Sequence, residues 1–249
     1  MDIQLLLITL FAATLTMLAT GLGAVPFFFF ANLSSRWSER GYAFASGVML
    51  SASVFDLIFP AIQRGGYTQG VIGLVIGTIF FIISESWLGD REPKIGQIRG
   101  VSARRVLLIL GTLFIHSFPE GVAVGVGYGA GKTSSQLGLL LALAIGIQNI
   151  PEGIAVALPL RAEGVPVSRC MLWAIFSSLP QPIAAIPALL AVSFFQQILP
   201  YALAFAAGAM GFLVFTELIP EGLEGGRRQE TGIIIAAGFL LMMLIHTLV

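Results

Sequence analysis

The sequence predicts an all-α membrane protein of eight transmembrane helices. Three observations predict it: the chain is too apolar for a water-soluble globule, its apolar runs have the length of a bilayer span, and its basic residues gather in alternate loops. Of 249 residues, 57% are hydrophobic and only 10% charged, with a mean hydropathy of +0.93. So little polar surface cannot solvate a globule of this size. About 20 apolar helical residues cross roughly 30 Å of hydrocarbon, so the chain has room for about eight crossings and no separate soluble domain. The formal net charge is zero, which offers nothing to nucleic acid. One cysteine, Cys170, excludes an internal disulfide framework.

Apolar runs between polar breaks place the spans near 3–30, 42–62, 70–89, 105–128, 137–160, 169–192, 199–222 and 231–249, all in one transmembrane domain, residues 1–249. The first run lacks a basic start and is too long for a signal peptide, so it reads as a span. Alternate loops hold Arg36, Arg40, Arg91, Lys94, Arg99, Arg104, Arg105, Arg161, Arg169, Arg227 and Arg228 on one side, against Arg64 and Lys132 on the other. Basic loops stay in the cytoplasm, so this bias places both termini outside, extracellular or periplasmic.

The chain also repeats itself. At a constant offset of 161 residues, Ala43-Phe44-Ala45-Ser46-Gly47-Val48-Met49 aligns with Ala204-Phe205-Ala206-Ala207-Gly208-Ala209-Met210, Asp56-Leu57-Ile58 with Glu217-Leu218-Ile219, and Pro26 with Pro187. Spans one and two thus echo spans six and seven. Five spans separate each pair, an odd number, so the copies run through the membrane in opposite directions as an inverted repeat. Spans four and five carry a second duplication, at an offset of 32: His116-Ser-Phe-Pro-Glu-Gly-Val-Ala-Val124 against Gln148-Asn-Ile-Pro-Glu-Gly-Ile-Ala-Val156. Each motif starts about a dozen residues into its span, counted from opposite faces, so at about 1.5 Å per residue both lie near the bilayer midplane.

In each motif the first residue and the glutamate stand four apart and share a helix face, His116 with Glu120 and Gln148 with Glu152. Pro119 and Pro151 cannot donate a backbone hydrogen bond and leave the carbonyls of Ile115 and Ile147 without their usual partners. Such breaks are tolerated in lipid only beside a cavity or another helix. Gly121 and Gly153 permit the close approach that brings the two polar faces together. Two carboxylates at that depth are costly and repel one another, so a cation is expected between them. One imidazole, two carboxylates and an amide oxygen suit Zn²⁺, Fe²⁺, Mn²⁺ or Cd²⁺, and the lack of thiolates disfavours Cu⁺. The alternative is structural: an intramembrane histidine that only hydrogen-bonds between helices, and buried protonated glutamates. Asp56, Glu85, Glu217 and Glu221, nearer the span ends, are candidates for the ion pathway or for snorkelling and capping. His246, at the outer end of the last span, reads as structural.

At these motifs the chain resembles the ZIP (Zrt/Irt-like) divalent metal transporters, whose fourth and fifth helices they are similar to, and in particular the small bacterial GufA-like members. The similarity runs the whole length and includes the Asp56 and Glu217 segments. It implies a 3+2+3 helix arrangement with inverted symmetry and uptake of zinc or similar divalents toward the cytoplasm. It further implies a homodimer in the plasma membrane, in a bacterium the inner membrane, and an elevator-like motion of spans one, four, five and six. By the same resemblance the metal ligands are His116, Glu120, Gln148 and Glu152. The chain departs from the family at the second metal site of binuclear relatives, where it has Ser117, Asn149 and Gln181: two carboxylates have become amides and one amide a hydroxyl. A second ion is therefore expected to be weakly held or absent. Residues 90–104 are basic and contain no histidine, so the metal sensing of a histidine-rich loop is not expected.

Two rival readings remain open. An intramembrane metal-dependent hydrolase would use the metal to activate water, but His116 is the only histidine at hand and no H-E-x-x-H helix is present. A carrier of a non-metal substrate would use the carboxylates as proton relays. The transporter reading expects no enzyme activity and no catalytic residue, and the carried ion takes the place of a cofactor. Without an ATP-binding loop, transport runs down a gradient or is coupled to another ion. Two measurements follow. Anomalous scattering from metal-loaded protein should show one ion per chain, and two fully occupied ions would refute that. A protonated imidazole cannot ligate, so uptake should fall as the pH drops from about 8 to about 5, and a flat profile would overturn the role given to His116.

Overall fold

The structure, a computed structural model, describes residues 3–29, 34–89, 94–95, 98–129 and 134–248. Arg91 and Lys132 of the charge bias, and Phe30 and Val249 of the first and last spans, lie outside the described residues. The chain is nearly all helical. Helix α1 spans Ile3–Leu22 and is followed by a 3₁₀ turn, Val25–Phe28, that Pro26 opens. Helix α2, Ser35–Ala52, passes through a π-helical segment, Ser53–Ile58, into α3, Phe59–Gly89. Two short antiparallel strands, β1 (Lys94–Ile95) and β2 (Ile98–Arg99), precede α4, Gly100–Gly129, and α5, Ser134–Ala162. Then come α6, Val167–Ser177, and α7, Pro180–Leu190. Helix α8, Val192–Leu213, leads through a second π-helical segment, Val214–Leu218, into α9, Ile219–Leu223. Helix α10, Arg228–Leu248, completes the bundle.

Among the described residues, seven helical stretches are long and apolar enough to cross a membrane, and the second of them, Ser35–Trp87, is 53 residues long. A straight helix of that length would reach about 80 Å. Gly66 breaks it, with φ 76° in the left-handed region that only glycine enters cheaply. The neighbours change along the stretch, α2 packing mainly against α10 and α5, and α3 against α8.

Side chains are arranged as a bilayer requires. On α1, Ile3, Leu7, Phe11 and Leu15 face outward, while Thr9, Ala12, Ala13, Thr16 and Thr20 are buried. Between helices in lipid there is no hydrophobic drive, so small residues face inward to allow close packing and large apolar ones are left to the acyl chains. Two of the buried hydroxyls are satisfied within their own helix: Thr9 donates to the Leu5 carbonyl at 2.8 Å and Thr16 to the Ala13 carbonyl at 2.8 Å.

The 161-residue offset reappears in the packing. A Cβ on Gly47 of α2 would strike the Ile235 carbonyl of α10, and one on Gly208 of α8 would strike the Leu74 carbonyl of α3. Likewise Gly238 of α10 lies on the Phe44 carbonyl and Gly77 of α3 on the Phe205 carbonyl. All four contacts map onto one another at that offset, with partners exchanged between the halves. Both π-helical segments obey it too, and each carries an acid, Asp56 or Glu217. In the middle, Gly121 of α4 lies on the Gln181 carbonyl and Gly153 of α5 on the Thr20 carbonyl. Helices α1, α4, α5, α6 and α7 form this centre, flanked by the α2–α10 and α3–α8 pairs.

Gly208→Val should therefore force α8 off α3 at a cost of about 1–3 kcal/mol, seen as a lower Tm of the detergent-purified protein. Gly211→Ala, where an added Cβ meets nothing within 4 Å, should leave Tm unchanged. Equal melting of both variants would contradict this packing.

Candidate metal centre

Helices α4 and α5 lie side by side in opposite directions, with Gly127 packed on Gly138 near their junction and His116 meeting Glu152 deeper in. Both carry a proline inside the helix at the motif, Pro119 and Pro151. His116 Nε2 stands 3.4 Å from Glu120 Oε1, one turn along its own helix, and 3.2 Å from Glu152 Oε1 on the other. All three side chains are buried, at 1%, 7% and 2% exposure. Their ligand atoms lie within 4.8 Å of one another, close enough to hold one metal ion. The two glutamates bring two negative charges into an apolar interior where they have no arginine or lysine beside them among the contacts described, so His116 is the one basic partner they share.

Gln148 is also buried, and with His116, Glu120, Asp56, Arg64 and His246 it lines a cavity of about 340 Å³ whose other walls are leucine, isoleucine, alanine and proline. Asp56 thus shares a cavity with the central cluster. Its carboxylate meets His246 Nδ1 at 2.7 Å, a pairing that joins the π-helical segment after α2 to the end of α10. A larger cavity, about 850 Å³, lies among Phe27, Trp37, Phe44, Leu158 and Ile234 and holds neither His116 nor either glutamate. Its walls offer packing surface and little metal chemistry.

The remaining candidate acids gather elsewhere. Glu217, 4% exposed, is held by Arg104 at 3.0 Å and by Arg105 at 3.4 Å. Arg104 also reaches Glu85 at 3.6 Å, and Arg105 reaches Glu221 at 2.5 Å. Three acids and two arginines thus share one network. Of the residues at the predicted second site, Ser117 is buried beside His116, while Asn149 and Gln181 are both fully buried and hydrogen-bond to each other at 3.1 Å. Gln181 also donates to Glu120 Oε2 at 2.7 Å.

Sequence reasoning missed three partners: His246 for Asp56, and Arg104 and Arg105 for Glu217. The repeat held a clue to the first, because His246 stands 161 residues after Glu85, just as Glu217 does after Asp56. His246 and Glu85 are thus matched members of two networks, one around Asp56 and one around Glu217.

An apolar helical bundle with outward-facing leucines and a buried imidazole–carboxylate cluster beside a cavity defines a multi-pass membrane protein with a candidate metal site. A sequence profile of the ZIP zinc transporter family matches residues 84–246. The zinc transporter GufA of Myxococcus xanthus is 34% identical over 247 residues, covering 95% of this chain and 96% of its own length. The zinc transporter ZIPB of Bordetella bronchiseptica is 36% identical over 245 residues, 92% of this chain and 77% of its own length. A protein of Arabidopsis thaliana is 42% identical over 207 residues, 83% of this chain, which spans only 33% of that longer protein. The chain belongs to the ZIP zinc transporter family, in its GufA-like branch.

Proposed function

We propose that this protein carries divalent transition-metal ions toward the cytoplasm, zinc foremost, with iron, manganese and cadmium as competitors. The ion is held by His116, Glu120, Gln148 and Glu152. One observation carries the reading: an imidazole and two carboxylates from two helices that each hold a proline at the motif converge within 4.8 Å inside an apolar bundle. Relatives named zinc transporters along nearly the whole chain support the choice of ion. As cargo, the ion neutralises both carboxylates, takes one nitrogen from His116, and is offered the Gln148 amide oxygen in place of water. That mixed set suits several divalents and carries no thiolate to trap them.

The chain crosses the bilayer eight times, with the 53-residue stretch counted as two crossings that turn at Gly66. The arrangement is 3+2+3, with both termini outside. The exchanged glycine contacts at the 161-residue offset support the inverted repeat. With the arginine-rich loops in the cytoplasm, Arg104 and Arg105 mark the inner end and Arg64 the outer end. The cavity from His116 toward Arg64 then offers the ion its way in, while the Arg104–Arg105–Glu217 network covers the inner end. Alternating access requires the set α1, α4, α5, α6 and α7 to shift against the flanking pairs, opening the inner end as the outer one closes. The protein acts as a homodimer in a plasma membrane, in a bacterium the inner one.

Proteoliposomes of the wild type should take up zinc, and the Glu120→Ala/Glu152→Ala variant should fall to the level of protein-free vesicles. Uptake that survives both substitutions overturns the site. Hydrolysis without flux would point to an enzyme, and metal-independent flux of another solute to a different cargo.

A further inference from the structure

We infer that Gln181 is a positioning residue: through a buried chain of two amides it fixes Glu120 to present a single oxygen to the ion, and it ties four helices into one body. The inference rests on the metal reading proposed above. Gln181 lies on α7 with no solvent exposure, and its amide nitrogen donates to Glu120 Oε2 at 2.7 Å. The other oxygen of that carboxylate, Oε1, is the one 3.4 Å from His116 Nε2. The two oxygens therefore have separate tasks, one bound by the protein and one turned to the centre.

The amide has only one workable orientation. At the far end of the chain, Asn149 Nδ2 donates to the Thr16 backbone carbonyl of α1 at 2.7 Å and to Gln181 Oε1 at 3.1 Å. A backbone carbonyl and a carboxylate only accept hydrogen bonds, so the acceptors at both ends force each amide to point its N–H groups toward Glu120 or toward Thr16 as observed. Turning either amide over would set two acceptors or two donors face to face in a site that Thr16, Asn149 and Gln181 bury almost completely. The chain runs from α1 through α5 and α7 to α4. A second tie, Thr20 to Ser178 at 2.6 Å, joins α1 to the α6–α7 junction close by.

Two consequences follow. Glu120 does not have to search for its rotamer when an ion arrives, and a hydrogen bond from a neutral donor to a carboxylate is of the stronger, charge-assisted kind. The N–H group also occupies the flank of Glu120 away from His116, where it repels rather than attracts a cation. The centre is thereby built for one ion, and the four helices that present it are bound to move together.

The test uses full-length protein in detergent and in proteoliposomes, with Zn²⁺ as the probe. Gln181→Met keeps the side-chain length and removes the donor and the acceptor. Its zinc affinity, by calorimetry, is expected to weaken roughly 10- to 100-fold, the usual cost of losing a partner that orients a ligand. The KM of uptake should rise with it while Vmax per folded molecule holds. A merely structural role would cut the yield of folded protein and leave affinity and KM unchanged, which would overturn the inference. Asn149→Ser shortens the chain at its other end without touching Glu120. A smaller loss of affinity is expected, and unchanged affinity counts against the chain even if Gln181→Met does not fold. Should the wild type itself bind no zinc, the metal reading fails, whatever the variants do.

Discussion

The burial of two carboxylates beside one imidazole, inside a bundle whose outer faces are leucine, isoleucine and phenylalanine, is the constraint on which the rest of this structure depends. Glu120 and Glu152 each approach His116 within hydrogen-bond or near hydrogen-bond distance, and each is under a tenth exposed. Charges so placed cost several kcal/mol in a bilayer unless something compensates them. The surroundings can be understood as that compensation: a basic imidazole between the acids, an amide donor on Glu120, a cavity of about 340 Å³ at one flank, and space for a doubly charged guest.

Holding such a cluster requires helices that come closer than ordinary side chains permit. Gly121 lies on the Gln181 carbonyl and Gly153 on the Thr20 carbonyl, one glycine following each motif glutamate. The same contacts that let α4 and α5 press against α7 and α1 bring Gln181 and Thr16 into range of the site. Small residues thus do two jobs at once. They supply packing where the hydrophobic effect supplies none between helices, and they set the distance at which polar side chains from four helices can meet.

The two halves of the repeat use equivalent positions for different ends. Asp56 and Glu217 both sit in π-helical segments, where the widened turn displaces a side chain from the regular helical row. Asp56 lines the cavity and meets His246, while Glu217 is enclosed by Arg104 and Arg105. A structure with perfect internal symmetry would offer the cargo the same environment on both sides. The unequal partners of Asp56 and Glu217 break that equivalence.

Much of this could be read from residue order alone, because the information is local or periodic. Long apolar runs announce spans, a polar residue and a glutamate four apart announce one polar helix face, and offsets of 161 and 32 announce which residues are equivalent. Equivalence is not contact, however. The offset relates His246 to Glu85, but it does not say that His246 touches Asp56 or that Arg104 holds Glu217. The family resemblance likewise names Gln181 without showing that its amide grips Glu120. The turn at Gly66, by contrast, falls in the gap that the apolar runs 42–62 and 70–89 leave between them, although the helical stretch around it is continuous for 53 residues. Those partnerships depend on how each helix is rotated about its axis and how near its neighbour lies, and both are decided by the packing of many small residues together, which no single segment encodes.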